Sequence, residues 1–210
     1  MIQPNLDFET AAARDGYQVI CGVDEAGRGP WAGPVVAGAV ILQFGGLSDE
    51  LRNGLHDSKK IKSTKREKLF QMLKEQARIG IGISSVEEID QVNILQATMI
   101  AMGRAIDDLA APPPDLALID GNRAPKVKCE ARTVVKGDSK VLSVSAASIV
   151  AKVTRDNLMT ELGEQYPGYG WARNAGYGTC EHQSALMELG VTPVHRRSFA
   201  PIRKMLSLDL

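Results

Sequence analysis

The sequence is poor in the features that mark secreted, membrane-spanning and zinc-binding proteins. Its 210 residues include only three cysteines, which are far apart and form no Cys-x-x-Cys pair. This usage argues against a disulfide framework and a zinc site, and it predicts reduced thiols in a cytoplasmic protein. No apolar run is long enough to cross a membrane. The N-terminal residues also lack the basic start and apolar centre of a signal peptide.

An excess of charge of one sign is missing as well. The chain has 25 basic and 25 acidic residues, so its net charge gives no sign of a polyanionic partner. Basic residues do cluster at 58–68 and 195–204, but such clusters are usually solvated surfaces and leave nucleic-acid binding open. The three histidines, His56, His182 and His195, have no spacing typical of a ligand set, and we interpret all three as structural.

The apolar pattern predicts one α/β domain over residues 1–210, with 1–16 as an N-terminal extension and 203–210 as a tail. Five short apolar segments are typical of strands: 17–24, 34–42, 79–84, 116–120 and 131–136. Helical periodicity predicts helices over 63–78, from 85 to about 109, and over 145–162 and 181–189. These elements indicate one mixed sheet with helices around it. The short loop between the first two strands predicts that they pair antiparallel.

Helix starts are indicated at two places. Thr64 with Glu67, and Ser85 with Glu88, have the spacing of a capping box, in which a hydroxyl and a carboxylate satisfy each other's backbone N–H groups. Both pairs stand directly before or within a segment of helical periodicity. We therefore predict a capping box at each of them.

Three of the predicted strands end in acidic residues: Asp24 with Glu25, Asp120, and Asp138. Ligand sites gather at strand ends in open α/β sheets. Four carboxylates at one point would repel, and they would need protons or a cation. Carboxylate oxygens without histidine or cysteine favour Mg²⁺ or Mn²⁺. Two such ions about 4 Å apart are a known device for splitting phosphodiesters.

A geometric condition applies to the adjacent pair. Neighbouring residues on a regular strand point to opposite faces, so Asp24 and Glu25 share a metal only if the strand ends or bulges at Glu25. The following AGRG is predicted to provide that ending. The alternative is that each acid is only a turn residue or a helix cap, as most Asp-Gly pairs are.

Six motifs in chain order carry a resemblance to a known family. They are GVDEAGRGPWAGPVVAGAV at 22–40, DSKK at 57–60, LIDGN at 118–122, KGDSK at 136–140, AASIVAKVTRD at 146–156 and GYGT at 176–179. Together they resemble the ribonuclease HII family over about residues 17 to 200. The resemblance implies a ribonuclease-H-like fold, with a five-stranded mixed sheet flanked by helices.

The same resemblance implies an activity and a set of site residues. The family cuts the RNA strand of RNA–DNA hybrids and single ribonucleotides embedded in duplex DNA, on the 5′ side of the ribonucleotide, leaving 3′-hydroxyl and 5′-phosphate ends. Its metal-binding acids match Asp24, Glu25, Asp120 and Asp138, which implies two Mg²⁺ or Mn²⁺ ions when substrate is bound. Its substrate contacts match Gly27, Arg28 and Gly29 at the sugar bearing the 2′-hydroxyl, Tyr177 at the next sugar, and Lys59 at a phosphate.

The sequence departs from the family pattern before the tyrosine motif. A basic residue often stands there, whereas this chain has Ala175, which cannot contact a phosphate through a basic side chain; Arg173 is the candidate to replace it. The short segment before the first strand favours ribonuclease HII over the related ribonuclease HIII. The C-terminal KMLSLDL loosely resembles tails that dock on sliding clamps but lacks their glutamine and aromatic residue. We therefore expect a frayed tail, and a monomer.

Other functions stay open on the residues alone. Another nuclease of the same fold, such as a resolvase or integrase relative, would also use clustered acids. A binding module that lost catalysis is disfavoured because all four acids are present, and a small-molecule phosphate binder is disfavoured because no P-loop or GxGxxG helix start occurs. Gly27 and Gly29 have an alternative as turn glycines, Lys59 as a solvated lysine and Tyr177 as a packed loop residue. Ser148 and Lys152 face either phosphates or solvent, and we leave them outside the predicted site.

Overall fold

A five-stranded mixed sheet forms the centre of the protein. The computed structural model describes residues 3–43, 45–55 and 61–208, so Lys59 and His56 lie outside the described residues. The strands are β1 Ile20–Ala26, β2 Val35–Leu42, β3 Ala77–Ser84, β4 Leu116–Asp120 and β5 Glu130–Val134, in the spatial order β3-β2-β1-β4-β5. β2 pairs antiparallel with β1 and β3, while β1–β4 and β4–β5 are parallel. The predicted mixed sheet and the antiparallel first pair are confirmed.

Helices cover both faces of this sheet. They are α1 Asp7–Arg14, α2 Asp49–Gly54, α3 Ser63–Gln76, α4 Val86–Asp107, α5 Leu142–Gln165, α6 Trp171–Asn174, α7 Cys180–Leu189 and α8 Ala200–Leu208. Every residue of β2 is buried. Its odd-numbered side chains pack with those of α4, and Val40 and Leu42 pack with those of α3 and α5. Alternation along the strand therefore divides the core into two layers.

Helix α5 lies unusually close to the two central strands. A Cβ atom at Gly22 would be 2.2 Å from the carbonyl carbon of Ser143, and one at Gly38 would be 2.6 Å from the carbonyl oxygen of Ala147. Only glycine fits such an approach. The close packing fixes the first turns of α5 against the middle of β1 and β2, where Gly38 is the register partner of Asp24.

Helix starts and ends differ in part from the predictions. The Ser85–Glu88 capping box is present. The Thr64–Glu67 box is wrong, because α3 begins at Ser63 after Lys62, which provides no side-chain cap. α4 contains a kink at Asn93, where φ is +70°, and the side chain of this asparagine caps the helical segment that follows.

The two chain ends are helical where the sequence analysis expected an extension and a frayed tail. Within residues 1–16, α1 buries Glu9, whose carboxylate accepts a hydrogen bond from the N–H of Ser143 at 2.9 Å. At the other end, residues 203–208 continue α8, so the expected fraying is wrong there. Such short helices depend on tertiary packing more than on their own periodicity, and that is why the local pattern missed them. No helix in the described part of the chain is long and apolar enough to cross a membrane.

Candidate active site

Three carboxylates meet at the carboxyl ends of the two central parallel strands. Asp24, Glu25 and Asp120 each have an oxygen atom within 4.8 Å of the other two. The parallel pairing of β1 with β4 ends at Val23 and Ile119, so the next residue on each strand stands at the same edge of the sheet. Asp24 is only 7% exposed, and the other two are half-buried. The topology thus joins acids that are far apart in sequence.

The predicted break of β1 at Glu25 is wrong. The strand continues to Ala26, and Glu25 keeps a regular register with Ala37 on β2. The carboxylates still gather, because β1 has lost its β4 neighbour beyond Val23 and the longer glutamate side chain can reach the edge of the strand. The carboxylate of Asp24 also accepts a hydrogen bond from the N–H of Glu25 at 2.7 Å. The two acids therefore share a site without a break between them.

Asp138 reaches the same region from another element. It lies on a 3₁₀ helix, Gly137–Ser139, between β5 and α5. The N–H of Gly137 donates to the carboxylate of Asp120 at 2.7 Å, which ties this turn to the end of β4. Asp138 is not part of the group of three whose oxygens lie within 4.8 Å. Its charge is nevertheless close enough to act on Asp24, as the pKa of that residue indicates.

The electrostatics of the cluster favour a cation. Burial raises the pKa of Asp24 well above its ordinary value, and the nearby charges of Glu25 and Asp120 raise it further. The charge of Asp138 adds to this, and the N–H of Glu25 opposes it. A proton or a metal ion relieves such repulsion. Because the three donors are all carboxylate oxygens, they fit a hard divalent ion such as Mg²⁺ or Mn²⁺.

The glycine loop after β1 forms one wall of a cleft beside these acids. Gly27 has φ of +98°, which side chains rarely adopt, and a Cβ atom there would be 2.0 Å from Nε of Arg155. A Cβ atom at Gly29 would be 3.3 Å from Cε1 of Tyr177. The Tyr177 ring is half exposed, so it stands across from Gly29 at the cleft surface. The side chain of Arg28 forms an ion pair with Glu25 at 3.1 Å.

The cleft has a volume of about 770 Å³ and contains more than the predicted residues. Three more cations line it, Arg66, Lys152 and Arg155, and the first two bind Asp156, at 3.3 Å and 2.6 Å. The structure therefore places Lys152 at the site that the sequence analysis left open for it. Ser148 also lines the cleft, but its hydroxyl donates to the carbonyl of Ser145 at 2.8 Å.

Sequence reasoning missed the position of Arg66 at the cleft and its contact with Asp156. The available signals were weak, because Arg66 is one of several basic residues in 58–68 and Asp156 is the last residue of the AASIVAKVTRD motif. Ile94, which follows the kink in α4, also lines the cleft and carried no signal of a site. These residues come from α3, α4 and α5, and only the packing of those helices brings them together.

Two of the histidines pack under the tyrosine segment and not at the acid cluster. His182 lies 3.0 Å through Nδ1 from the carbonyl of Tyr177 and 3.0 Å through Nε2 from Nε2 of His195. The indole of Trp171 donates to His182 at 3.2 Å. Burial lowers the pKa of both imidazoles, to about 4 for His195. They are neutral supports of the loop, which agrees with the structural interpretation.

The segment before Tyr177 departs from the family pattern in a visible way. Ala175 adopts a left-handed conformation with φ of +48°. Arg173 forms an ion pair with Glu181, and its side chain is 74% exposed. Its substitution for the missing basic residue stays a prediction, since this ion pair must open before the guanidinium can contact a phosphate.

The sheet order, the acid cluster and the facing glycine loop and tyrosine define a metal-dependent nuclease of ribonuclease-H-like fold. Comparison with known proteins makes the assignment more specific. The family model described as Ribonuclease HII matches residues 21–202. The ribonuclease HII of Ruegeria pomeroyi is 53% identical over 207 residues, covering 98% of this chain and 86% of the relative. That of Rhodospirillum rubrum is 52% identical over 206 residues, covering 97% and 92%. The chain belongs to the ribonuclease HII family and is a type 2 ribonuclease H.

Solved structures support the fold. Ribonuclease H2 from Pyrococcus horikoshii is similar with a TM-score of 0.75 and 28% identity, over 91% of this chain and 98% of that one. Ribonuclease HII in a PCNA complex from Archaeoglobus fulgidus has a TM-score of 0.69 and 25% identity, over 85% and 94%. The Bst ribonuclease HIII in complex with Mn²⁺ reaches a TM-score of 0.73 over 94% and 72%, but at 18% identity it indicates the fold alone.

Proposed function

We propose that this enzyme cuts the RNA strand of RNA–DNA hybrids, and single ribonucleotides within duplex DNA, on the 5′ side of the ribonucleotide. The products would carry 3′-hydroxyl and 5′-phosphate ends. The observation that carries the proposal is the position of Gly29 opposite Tyr177, next to a cluster of carboxylates. The residues proposed to contact the sugar, Gly29 and Tyr177, would then lie in the same cleft as the acids at the ends of β1 and β4.

The loop and the tyrosine suit recognition of a ribose. At one nucleotide only the 2′-hydroxyl distinguishes RNA from DNA. Contact with that hydroxyl requires close approach of the backbone, which Gly27 and Gly29 permit because they have no Cβ. The half-exposed ring of Tyr177 can pack on the following sugar. None of these proposed contacts goes to a base. We therefore expect specificity for the junction between ribonucleotide and deoxyribonucleotide and little specificity for base sequence.

The acids would hold the metal. Asp24, Glu25 and Asp120 have the donor set for Mg²⁺ or Mn²⁺, and Asp138 is the fourth member of the proposed site, which would take two ions with substrate. Bound cations would acidify the attacking water and would stabilise the leaving oxygen of the phosphodiester. The protein itself contributes alignment: the paired ends of β1 and β4 hold Asp24 and Asp120, and the 3₁₀ turn is tied to Asp120.

Cations along the cleft would orient the duplex. Lys152 and Arg66 are held by Asp156 on the side of the cleft formed by α3 and α5. Contacts of this kind bind phosphates and carry no sequence information. Lys59, which lies outside the described residues, stays the predicted phosphate contact of the DSK motif. Ser148 is directed to its own helix and is not included in the proposed site.

The test is cleavage of an end-labelled duplex that bears one ribonucleotide, with Mg²⁺, Mn²⁺ and chelator in parallel. We expect one cut on the 5′ side of the ribonucleotide, no cut in chelator, and no cut in an all-DNA duplex of the same sequence. An RNA–DNA hybrid and a four-way junction complete the panel. Preferential cleavage of the four-way junction would contradict this proposal and would indicate a resolvase-like function. Metal binding without cleavage of any substrate would favour a binding module.

Partners and location stay predictions. The PCNA complex is a property of the Archaeoglobus fulgidus protein. In this chain the segment KMLSLDL lacks the glutamine and aromatic residue of clamp-docking tails, and most of it continues α8. A monomer and a cytoplasmic location remain expected, the latter because Cys21, Cys129 and Cys180 are all free. Size-exclusion chromatography with and without a clamp would test both the monomer and the clamp.

A further inference from the structure

Two buried arginines lie directly beneath the glycine loop. Arg155, on α5, is 1% exposed, and Arg196, in the segment between α7 and α8, is 0% exposed. All hydrogen bonds that the two guanidinium groups make to described residues go to backbone carbonyl oxygens. Neither guanidinium forms an ion pair with a described carboxylate. This is an unusual environment for two fixed positive charges.

Arg196 holds the loop itself. Its guanidinium donates to the carbonyls of Gly27 at 2.6 Å and Arg28 at 3.1 Å. It also donates to those of Gly33 at 2.9 Å and Pro34 at 3.1 Å. One side chain thus anchors both ends of the turn that connects β1 with β2. The loop cannot shift without breaking charge-assisted hydrogen bonds.

The anchoring dictates which way the loop presents its donors. In a trans peptide the C=O and the next N–H point in opposite directions. The carbonyls of Gly27 and Arg28 point to Arg196, which does not line the cleft. The N–H groups of Arg28 and Gly29 therefore point away from Arg196, and both residues line the cleft. Donors in that direction suit an oxygen of the sugar or of its phosphate.

Arg155 joins the loop to the tyrosine segment on the other wall. It donates to the carbonyl of Ala175 at 2.9 Å, two residues before Tyr177, and to those of Ala32 at 3.1 Å and Pro34 at 3.0 Å. Its Nε also occupies the space that a Cβ atom at Gly27 would need. The spacing between the loop and Tyr177 is therefore set through Arg155.

The energetic cost of this arrangement argues that it serves more than stability. Burial lowers the pKa of Arg155 to about 10 and that of Arg196 to about 9, where the charge of Arg155 contributes as well. Both groups stay charged at neutral pH, although the low-dielectric interior disfavours two like charges and the charges of Asp156 and Asp90 offset this only in part. Apolar residues of similar volume are often at least as stabilising as buried charges. A geometric role explains why the site keeps two guanidinium groups.

We propose that Arg155 and Arg196 are positioning residues that hold the Gly27–Gly29 loop and Tyr177 at the spacing needed to read a ribose. The consequence for recognition rests on the function proposed above, while the anchoring itself does not. Arg196 acts on the loop, and Arg155 acts on the distance between the loop and the tyrosine. The two effects are separable by experiment.

The anchoring is tested without any substrate. Hydrogen–deuterium exchange of the peptide that contains residues 27–34 is compared between wild type and Arg196→Lys, since lysine keeps the charge but cannot span four carbonyls. We expect at least about tenfold faster exchange in the loop, because its closed state loses more than 1.4 kcal/mol of hydrogen bonding. Leu73→Ala, a core variant on α3, is the control for general destabilisation. Equal exchange in wild type and Arg196→Lys would overturn the proposal.

The effect on recognition is tested by kinetics below the melting temperature of each variant. We expect Arg196→Lys to lose about 10- to 100-fold in kcat/KM on a duplex with one ribonucleotide, the usual cost of misplacing a contact by about 1 Å. Leu73→Ala should keep wild-type kcat/KM. Guanidinium chloride at low millimolar concentration should partly restore Arg196→Ala, and equal NaCl should not. If Arg196 had only a structural role, its replacement would lower the melting temperature but leave kcat/KM unchanged, and guanidinium would have no effect on activity.

The outcomes separate the two proposals. If the wild type cuts no ribonucleotide substrate, the proposed function fails, and loop exchange still decides the anchoring. If Arg196→Lys does not fold, Arg155→Lys serves, because it frees Ala175 and leaves the Gly27 and Arg28 carbonyls bound. Faster exchange confined to residues 27–34 and 175–177 supports the inference. Uniformly faster exchange over the whole chain would count against it.

Discussion

Replacing Asp24 by asparagine should make the metal-free protein more stable while removing its activity. Asp24 is 7% exposed, and oxygens of Glu25 and Asp120 lie within 4.8 Å of its own. Two unit charges at that distance repel by about 3 kcal/mol when the effective dielectric constant is about 20. Asparagine removes the charge but keeps an oxygen that can accept the hydrogen bond from the N–H of Glu25.

The size of the gain has an upper limit. The ordinary pKa of the carboxyl is 3.8, and its pKa in the folded protein is raised, mainly by burial. One pKa unit corresponds to 1.36 kcal/mol, so at pH 7 this carboxyl can cost at most about 4 kcal/mol. We expect the variant to gain about 1–3 kcal/mol, which for a chain of this size raises the melting temperature by about 2–12 °C.

The dependence on pH follows from the direction of the pKa change. The folded protein binds the Asp24 proton more tightly than the unfolded chain does, so this residue costs stability as pH rises above about 4. The difference in melting temperature between Asp24→Asn and wild type should therefore grow from pH 5 to pH 8.

Thermal unfolding by circular dichroism, in chelator, measures this difference. Added Mn²⁺ should raise the melting temperature of wild type more than that of the variant, because the Asp24 carboxylate is a proposed ligand and the bound ion offsets the repulsion among the three acids. The variant should cut no substrate. Equal or lower stability of the variant at both pH values in chelator would refute the electrostatic reasoning, and near-wild-type activity would refute the metal site.

Three further predictions concern the cleft and its support. Tyr177→Ala should reduce kcat/KM on a single-ribonucleotide duplex more than on a long hybrid, whereas equal losses would mean that the ring only packs. Lys152→Ala, and likewise a change of Lys59, should flatten the log–log salt dependence of duplex binding by about one unit or less, measured by fluorescence anisotropy; an unchanged slope would exclude a phosphate contact. His195 is 0% exposed, and burial lowers its pKa to about 4. Below about pH 6.5 the imidazole therefore binds a proton in the unfolded chain but not in the folded protein. Wild type should therefore lose up to about 2 kcal/mol relative to His195→Asn between pH 7 and pH 5 in urea unfolding; parallel pH curves would contradict this.

Much of the fold was predictable because it depends on local pattern. Short apolar segments indicated all five strands, and the short connection between β1 and β2 required antiparallel pairing. The Ser85–Glu88 capping box was readable from spacing alone. The short helices α1, α2, α6 and α8 were not, since their stability comes from packing against distant segments.

The candidate site divides in the same way. The sequence by itself determined the identity of the acids, the glycine loop and the tyrosine, because each stands in a recognisable motif at the end of an element. Only the tertiary structure decided how they meet: β1 continues to Ala26 and yet its two acids share a site. It also decided what holds the loop, since Arg196 binds the carbonyl of Gly27 across 169 residues of chain. No sequence pattern predicts such a contact. Every residue has a backbone carbonyl, so accepting this hydrogen bond puts no constraint on the residue type at the acceptor position.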